Sequence, residues 1–121
     1  MSTSYDFGRE AERFAVDYFR SLGYKIICQN YFYQKAEIDL ILETTNQIVI
    51  VEVKALTSEK YKHPEDSVTI KKKKLLVLAA NQFILENNID AEIRFDILAL
   101  IKQNNRWITN HIVDAFNAFE L

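Results

Sequence analysis

The sequence predicts an α/β protein in which two helices pack on one mixed β-sheet. Two segments carry apolar residues at helical spacing, and the short runs between them are rich in β-branched residues. Two of those runs are apolar almost throughout, which is typical of strands in a sheet covered by helices. The 121 residues include two glycines, one proline and no linker-like stretch, so a single domain over 1–121 is expected.

The first predicted helix runs from Phe7 to Leu22, because its apolar residues recur at spacings of three and four. Gly23 is positioned to end it. A short strand over 24–28 follows, and the aromatic stretch 31–33 continues as an extended or irregular connection. Core and edge packing is the favoured role of these rings, and stacking on unpaired bases is the alternative.

A hairpin is the strongest strand prediction, with strands over 37–42 and 48–54 joined by the polar, turn-prone stretch 43–47. If the turn is centred on 44–47, residues whose numbers sum to 91 lie opposite each other. The hairpin therefore has a defined register.

The second half of the chain completes the sheet. A loop is predicted over 57–66, a second helix from about Asp66 to Asn87, and strands over 93–101 and 107–113. The predicted order is α-β-β-β-α-β-β.

Composition excludes several classes of protein. The most apolar run, 48–51, meets Glu52 after four residues, so no membrane span is expected. The first residues lack a basic region followed by an apolar stretch, and the single Cys28 cannot form an intramolecular disulfide. A cytoplasmic location is therefore expected.

The net charge of -2 is unevenly distributed, with -3 over 1–53, +4 over 54–74 and -3 over 75–121. On charge alone, a solvated helix face is favoured over a phosphate-binding surface for the middle segment. Lys71 and Lys74 share one face of the second helix and are the candidates for contact with a DNA backbone.

Asp39 and Glu52 are the charged residues that a buried hairpin should not contain, and the register places them opposite each other. Lys54 lies on the same face, because side chains alternate along a strand. Paired carboxylates bind Mg²⁺ or Mn²⁺, and a nearby ammonium steadies the nucleophile in hydrolysis of a phosphodiester. An inward ion pair of Lys54 with Asp39 or Glu52 is the alternative, and both interpretations stay open.

Asp39, twelve intervening residues and Glu52-Val-Lys54 resemble the D…ExK signature of the restriction-endonuclease-like superfamily, which includes archaeal Holliday junction resolvases. The surrounding sequence resembles, nearly throughout, the bacterial YraN-like endonuclease-like family. The segments that carry this resemblance are Gly8-Arg-Glu-Ala-Glu12-Arg-Phe-Ala15, Leu22-Gly-Tyr24, Asn30, Glu37-Ile-Asp-Leu-Ile41, Val51-Glu-Val-Lys54, 71–75 and Arg94-Phe-Asp96.

The resemblance implies a restriction-endonuclease-like three-layer fold, with a central mixed sheet flanked by helices and the site on the hairpin. It implies catalytic roles for Glu12, Asp39, Glu52 and Lys54. Asp39 and Glu52 would bind the metal, and the main-chain carbonyl of Val53 would complete its shell.

The sequence departs from the family pattern at three positions. Ala11 and Ala36 stand where glycine is usual, and Leu56 stands where an arginine commonly follows the E-V-K motif. The carboxylates and the lysine are intact, but the phosphate contact expected from that arginine is absent.

Other charged residues receive structural roles. Glu37 is interpreted as an exposed residue at a strand start, and a carboxylate that supports the metal ligands is the alternative. Arg94 and Asp96 are interpreted as a structural ion pair. His63 and His111 are isolated in the sequence, so a zinc site is not expected.

Two functions follow as expectations. The first is a divalent-metal-dependent nuclease that hydrolyses DNA phosphodiester bonds, with branched or damaged DNA among its candidate substrates. The second is a non-catalytic nucleic-acid-binding or adaptor protein that retains the fold. The similarity to resolvases adds a sheet-edge homodimer to these expectations.

Overall fold

In the computed structural model, which describes residues 4–57 and 63–121, two helices pack on opposite faces of a five-stranded sheet. The predicted order of helices and strands is confirmed. The elements are α1 (Ser4–Ser21), β1 (Lys25–Tyr33), β2 (Ala36–Thr44), β3 (Gln47–Leu56), a 3₁₀ turn (Pro64–Ser67), α2 (Ile70–Glu86), β4 (Glu92–Gln103), β5 (Arg106–Phe116) and a second 3₁₀ turn (Ala118–Glu120).

The strands lie in the sheet in the order in which they occur in the chain, from β1 to β5. Neighbouring strands are antiparallel except β3 and β4, which are parallel. A parallel pair needs a crossover connection, and α2 supplies it. The sheet is therefore mixed, as predicted.

The β2–β3 hairpin has the predicted register. Thr44 pairs with Gln47 and Leu40 pairs with Val51, so the numbers of opposed residues sum to 91. Asn46, in the two-residue turn, adopts a φ of 62°, a conformation that asparagine tolerates better than most residues. The ladder ends at the Leu40–Val51 pair, so the predicted direct main-chain pairing of Asp39 with Glu52 is not formed.

Each face of the sheet has its own apolar cluster. On the α1 side the buried residues are Ala11, Ala15, Val16, Phe19, Leu40, Leu42, Val49, Val51, Leu98 and Leu100. On the α2 side they are Ala36, Ile38, Ile41, Ile48, Ile50, Val68, Leu76, Ala79, Ala80, Phe83, Phe95, Ile97 and Phe116. Within the described residues, neither helix has the length and apolar character needed to cross a bilayer.

Strand β2 changes its facing pattern at Asp39. Ile38 and Ile41 pack in the α2-side cluster, whereas Leu40 packs in the α1-side cluster. In a regular strand, residues two apart share a face, so Ile38 and Leu40 should lie on the same side. The interruption between them places Asp39 within reach of side chains from both faces of the sheet.

Three predicted boundaries were wrong. Helix α2 begins at Ile70, where Thr69 caps it by accepting a hydrogen bond from the Lys72 amide (3.1 Å), and not at Asp66. Residues 64–67, at the end of the predicted loop, form a 3₁₀ turn, and 58–62 lie outside the described residues. Strand β1 runs past the predicted end at residue 28 to Tyr33, because it pairs with β2 along that length, and the extended alternative for 31–33 is confirmed.

Candidate metal centre

Two carboxylates are buried where β2 and β3 separate. Asp39 and Glu52 are each only 7% exposed. The Val53 amide donates a 2.8 Å hydrogen bond to Asp39 Oδ2, so a side chain continues the link between the strands after the ladder has ended. Burial raises the pKa of the Asp39 carboxyl, and its hydrogen bond and charge repulsion with Glu52 raise that pKa further.

A carboxylate cluster extends from Asp39 toward α1. Glu12, Glu37 and Asp39 each place an oxygen within 4.8 Å of the others. Asn30 Nδ2 lies 3.4 Å from Glu12 Oε2 and donates a hydrogen bond to it. Glu12 therefore lies beside Asp39, where the family resemblance expects it. The favoured interpretation of Glu37 as an exposed strand-start residue was wrong, because Glu37 is half-buried and its carboxylate belongs to this cluster.

Two lysines approach the buried carboxylates from the α2 side. A cleft of about 330 Å³ is lined by Asp39, Glu52, Lys54 and Lys72, together with residues 67–69. Lys72 Nζ lies 3.4 Å from Glu52 Oε2, and Lys54 makes no ion pair with any described residue. The alternative of an inward Lys54 ion pair was therefore wrong, since Lys72 makes the ion pair with Glu52.

The donor set of this centre fits a hard divalent cation. The carboxylates of Glu12, Glu37 and Glu52 surround that of Asp39, and Asp39 and Glu52 are almost fully buried. Carboxylate oxygens are the ligands that Mg²⁺ and Mn²⁺ prefer. The raised pKa of Asp39 indicates that the protein alone does not fully stabilise the negative charge. A bound cation would supply that compensation.

The lysine run at the start of α2 divides into exposed and half-buried residues. Lys71 and Lys74, the predicted DNA contacts, are exposed, whereas Lys72 and Lys73 are half-buried. Lys73 Nζ lies 5.4 Å from the centre of the Phe116 ring. Sequence reasoning missed Lys72, although its position four residues before the first buried leucine of α2 places it on the inner face of the helix.

A second buried polar network lies apart from the carboxylate cluster. The predicted Arg94–Asp96 ion pair is confirmed at 2.9 Å, and Asp96 is 1% exposed. His111 Nε2 lies 2.7 Å from Asp96 Oδ2, so His111 is not isolated in the fold. Arg94 also donates to the Tyr24 hydroxyl, and His111 Nδ1 lies 3.2 Å from the Tyr18 hydroxyl. The network therefore joins α1 to strands β4 and β5.

Together, the fold and this centre define a class of α/β proteins that carry a carboxylate cluster, flanked by lysines, on the central strands of a mixed sheet. Residues 11–100 match the sequence model of the family described as "Uncharacterised protein family UPF0102". The chain belongs to this family, and its resemblance to the YraN-like family is thereby confirmed.

Relatives match the chain over almost its full length. The UPF0102 protein FP2501 of Flavobacterium psychrophilum is 40% identical over 119 residues, which cover 98% of this chain and 100% of the relative. The UPF0102 protein SYO3AOP1_0546 of Sulfurihydrogenibium sp. is 43% identical over 111 residues, covering 91% and 93%. The UPF0102 protein CD630_12710 of Clostridioides difficile is 38% identical over 112 residues, covering 92% and 94%.

Proposed function

We propose that this protein is a divalent-metal-dependent nuclease of the restriction-endonuclease-like superfamily that hydrolyses DNA phosphodiester bonds. The observation that carries the proposal is the burial of Asp39 and Glu52 in one cleft that Lys54 also lines. Burying two carboxylates together costs stability unless a cation compensates them, so their placement is better explained by a metal-binding function than by folding.

Asp39, Glu52 and the main-chain carbonyl of Val53 would hold Mg²⁺ or Mn²⁺. The hydrogen bond from the Val53 amide fixes the orientation of the Asp39 carboxylate and supports this assignment. When bound, the ion supplies a Lewis acid that lowers the pKa of a water and stabilises charge on the phosphate.

Lys54 and Glu12 act beside these ligands. The Lys54 ammonium orients the attacking water and offsets negative charge that develops on the phosphate oxygens. Glu12, held by Asn30 next to Asp39, assists from the α1 side together with Glu37. Lys71 and Lys74 contact the DNA backbone outside the cleft, because both are exposed at the start of α2.

The helix-covered mixed sheet supports the assignment to the superfamily. The D…ExK residues occupy neighbouring central strands, with α1 and α2 on opposite faces. This arrangement brings the helix glutamate Glu12 and the hairpin carboxylates to one place, as the resemblance expects.

Cleavage of labelled DNA tests the proposal directly. Linear duplex, single-stranded and four-way-junction DNA would be incubated with Mg²⁺ or Mn²⁺ and with wild type, Glu52→Gln or Lys54→Met. We expect metal-dependent cleavage that falls at least about 100-fold in both variants, as is usual when a group that stabilises transition-state charge is removed.

The matched control is Glu43→Gln, which removes an exposed carboxylate from the same hairpin. It should leave cleavage unchanged. Equal cleavage by wild type and all variants would contradict the proposal and identify a contaminating nuclease.

A second candidate is a non-catalytic nucleic-acid-binding or adaptor protein. The Lys72–Glu52 ion pair favours it, because a protein cation then compensates a carboxylate that the nuclease would use for metal. Calorimetric titration with Mn²⁺ separates the two functions. Uptake that Asp39→Asn abolishes supports the nuclease, whereas DNA binding without Mn²⁺ uptake supports the second candidate.

A further inference from the structure

A second and larger groove lies on the opposite side of the carboxylate cluster, between α1 and β1. Its volume is about 750 Å³. Tyr5, Arg9, Arg13 and Arg20 of α1 line one wall, and Phe32 of β1 lines the other. These five residues define what we call the α1 groove.

Two aromatic rings in the α1 groove are exposed. Phe32 is 65% exposed and Tyr5 is 69% exposed. One exposed ring is common on protein surfaces, but these two face the same groove. The neighbouring Tyr31 instead packs against Phe83 in the α2-side cluster, so the aromatic stretch is divided between the core and the groove.

Arg13 and Arg20 of the α1 groove are available for a ligand, whereas Arg9 donates a 3.4 Å hydrogen bond to the Tyr5 hydroxyl and lies over the Tyr5 ring. Arg9, Arg13 and Arg20 are spaced by four and seven residues, which places them on one face of α1. All three are exposed, and the four ion pairs found among the described residues do not include them. Glu12 and Asp17 of α1 also line the groove, but the three arginines outnumber them on this wall. Guanidinium groups bind phosphate well, so the arginine side of the wall suits a phosphate backbone.

The α1 groove leads to the candidate metal centre. Glu12 and Glu37 line this groove, and with Asp39 they form the carboxylate cluster. Asp39 in turn lines the cleft on the α2 side. The carboxylate cluster therefore lies between the α1 groove and the cleft on the α2 side. A nucleic-acid strand bound in the groove would lead to the candidate metal centre.

We propose that the α1 groove binds an unpaired segment of a DNA strand, with a base stacked on Phe32 and its phosphates on Arg13 and Arg20. Base faces are covered by their neighbours inside a duplex, so a free ring selects unpaired bases. The groove thus directs the enzyme to DNA with single-stranded parts, such as ends, flaps or gaps. Delivery of the strand to the carboxylates rests on the proposed function, whereas binding in the groove does not.

Fluorescence anisotropy in EDTA, with a labelled single-stranded oligonucleotide and its duplex, measures binding without metal-dependent cleavage. We expect tighter binding of the single strand. Phe32→Ala should weaken that binding roughly 5- to 150-fold, the range found when a stacking ring is removed, and Phe32→Tyr should retain it.

The arginines are tested through salt dependence. Each lost contact with a single-stranded phosphate lowers the slope of log affinity against log salt by about 0.7, so the Arg13→Gln/Arg20→Gln double variant should lower it by about 1.4. The controls are Phe119→Ala and Arg106→Gln, which remove an exposed ring and an exposed arginine away from the groove. Neither should change affinity or slope.

Absence of single-strand binding, equal or tighter binding of the duplex, or unchanged binding by Phe32→Ala would overturn this inference. Its failure is distinct from failure of the nuclease proposal. If the wild type binds the single strand through Phe32 but does not cut DNA with Mn²⁺, the groove proposal stands and the nuclease proposal is refuted. If Phe32→Ala cleaves DNA with an unchanged KM, the nuclease proposal stands and the groove proposal is refuted.

Discussion

Two buried aspartates show how their surroundings decide what a carboxylate can do. Burial raises the pKa of Asp39, and Glu52 raises it further. Burial also acts to raise the pKa of Asp96, but hydrogen bonds from His111, Arg94 and the Asp114 amide outweigh it and lower that pKa. The charge of Asp96 is compensated within the protein, whereas metal-free Asp39 keeps its proton well above the ordinary aspartate pKa.

Asp39→Asn should stabilise the metal-free protein at neutral and alkaline pH. As pH rises above the ordinary pKa of aspartate, the unfolded chain loses this proton while the folded chain keeps it, so wild-type stability falls until the raised pKa is passed. The asparagine side chain of the variant does not titrate, and its oxygen still accepts the hydrogen bond from the Val53 amide. We expect the variant to gain at least about 1 kcal/mol near about pH 8, equivalent to roughly one pKa unit, and almost nothing near about pH 4.

Urea unfolding in EDTA at the two pH values measures this difference. Lower stability of Asp39→Asn at both pH values would contradict the prediction. Addition of Mn²⁺ provides an internal control, because an ion at about 100 times its Kd should stabilise wild type by about 2.7 kcal/mol and leave the variant unchanged.

Asp96→Asn should have the opposite effect. The lowered pKa of Asp96 means that its stabilising contribution is present above the ordinary aspartate pKa and is lost as pH falls toward the folded-state value. Removing its charge leaves Arg94 buried without its partner, so we expect a loss of about 3 to 5 kcal/mol at neutral pH. Urea unfolding measures the loss, and the exposed Asp90→Asn serves as control. A loss as small as that of the control would refute the structural role of Asp96.

Residues of the site that lie near one another in sequence could be predicted from strand geometry. The turn position and the alternation of side chains predicted that Asp39, Glu52 and Lys54 lie together, and all three line one cleft although the ladder ends before Asp39 pairs with Glu52. Lys72 could not be placed in this way, because it reaches Glu52 only through the packing of α2 over the hairpin. Alternation places Glu37 on the face of Asp39, but it does not predict that Glu12 of α1 meets both carboxylates there.

At the scale of elements, the sequence predicted where helices and strands occur better than where they end. Helix α2 was predicted to begin at Asp66 because Val68 fits the helical spacing, and Val68 is indeed buried. The 3₁₀ turn at 64–67 buries it without a continuous helix, and Thr69 supplies the cap that fixes the true start. Apolar spacing could not distinguish these two ways of burying one side chain.

Thr69→Ala should weaken the start of α2 and loosen the adjacent cleft. Thr69 Oγ1 accepts from the amide of Lys72, the residue whose ammonium contacts Glu52. Loss of an N-cap costs about 1 kcal/mol, and Thr69→Ser should restore most of it. Thermal unfolding checks the values. Equal stability of the alanine and serine variants would show that the cap contributes nothing.

At the scale of the whole molecule, the two helices depend on one sheet. The α1-side and α2-side clusters use opposite faces of the same strands, so neither can form without the sheet. We expect one cooperative unfolding transition for the chain. Fluorescence of Trp107, which packs against Phe7 and Phe14 on the α1 side, should follow the same urea curve as far-UV circular dichroism. Separate midpoints would contradict the predicted single domain.

The sheet-edge homodimer expected from the similarity to resolvases stays a prediction. Strands β1 and β5 form the two edges of the sheet. Sedimentation velocity at micromolar concentration should show a dimer, because a long edge strand presents unpaired main-chain groups to a second copy. A monomer at that concentration would refute it.

The match between strand order in the sheet and order in the chain has a consequence for synthesis on the ribosome. Each new strand of the sheet can pair with the one made just before it, so the β2–β3 hairpin can form before β4 has been translated. Until then, the outer edge of β3 and the apolar side chains on its α2-side face are exposed to other nascent chains, whereas α1 has already been made and can cover the other face. The interval in which the ribosome makes α2 and β4 therefore leaves this edge open to aggregation.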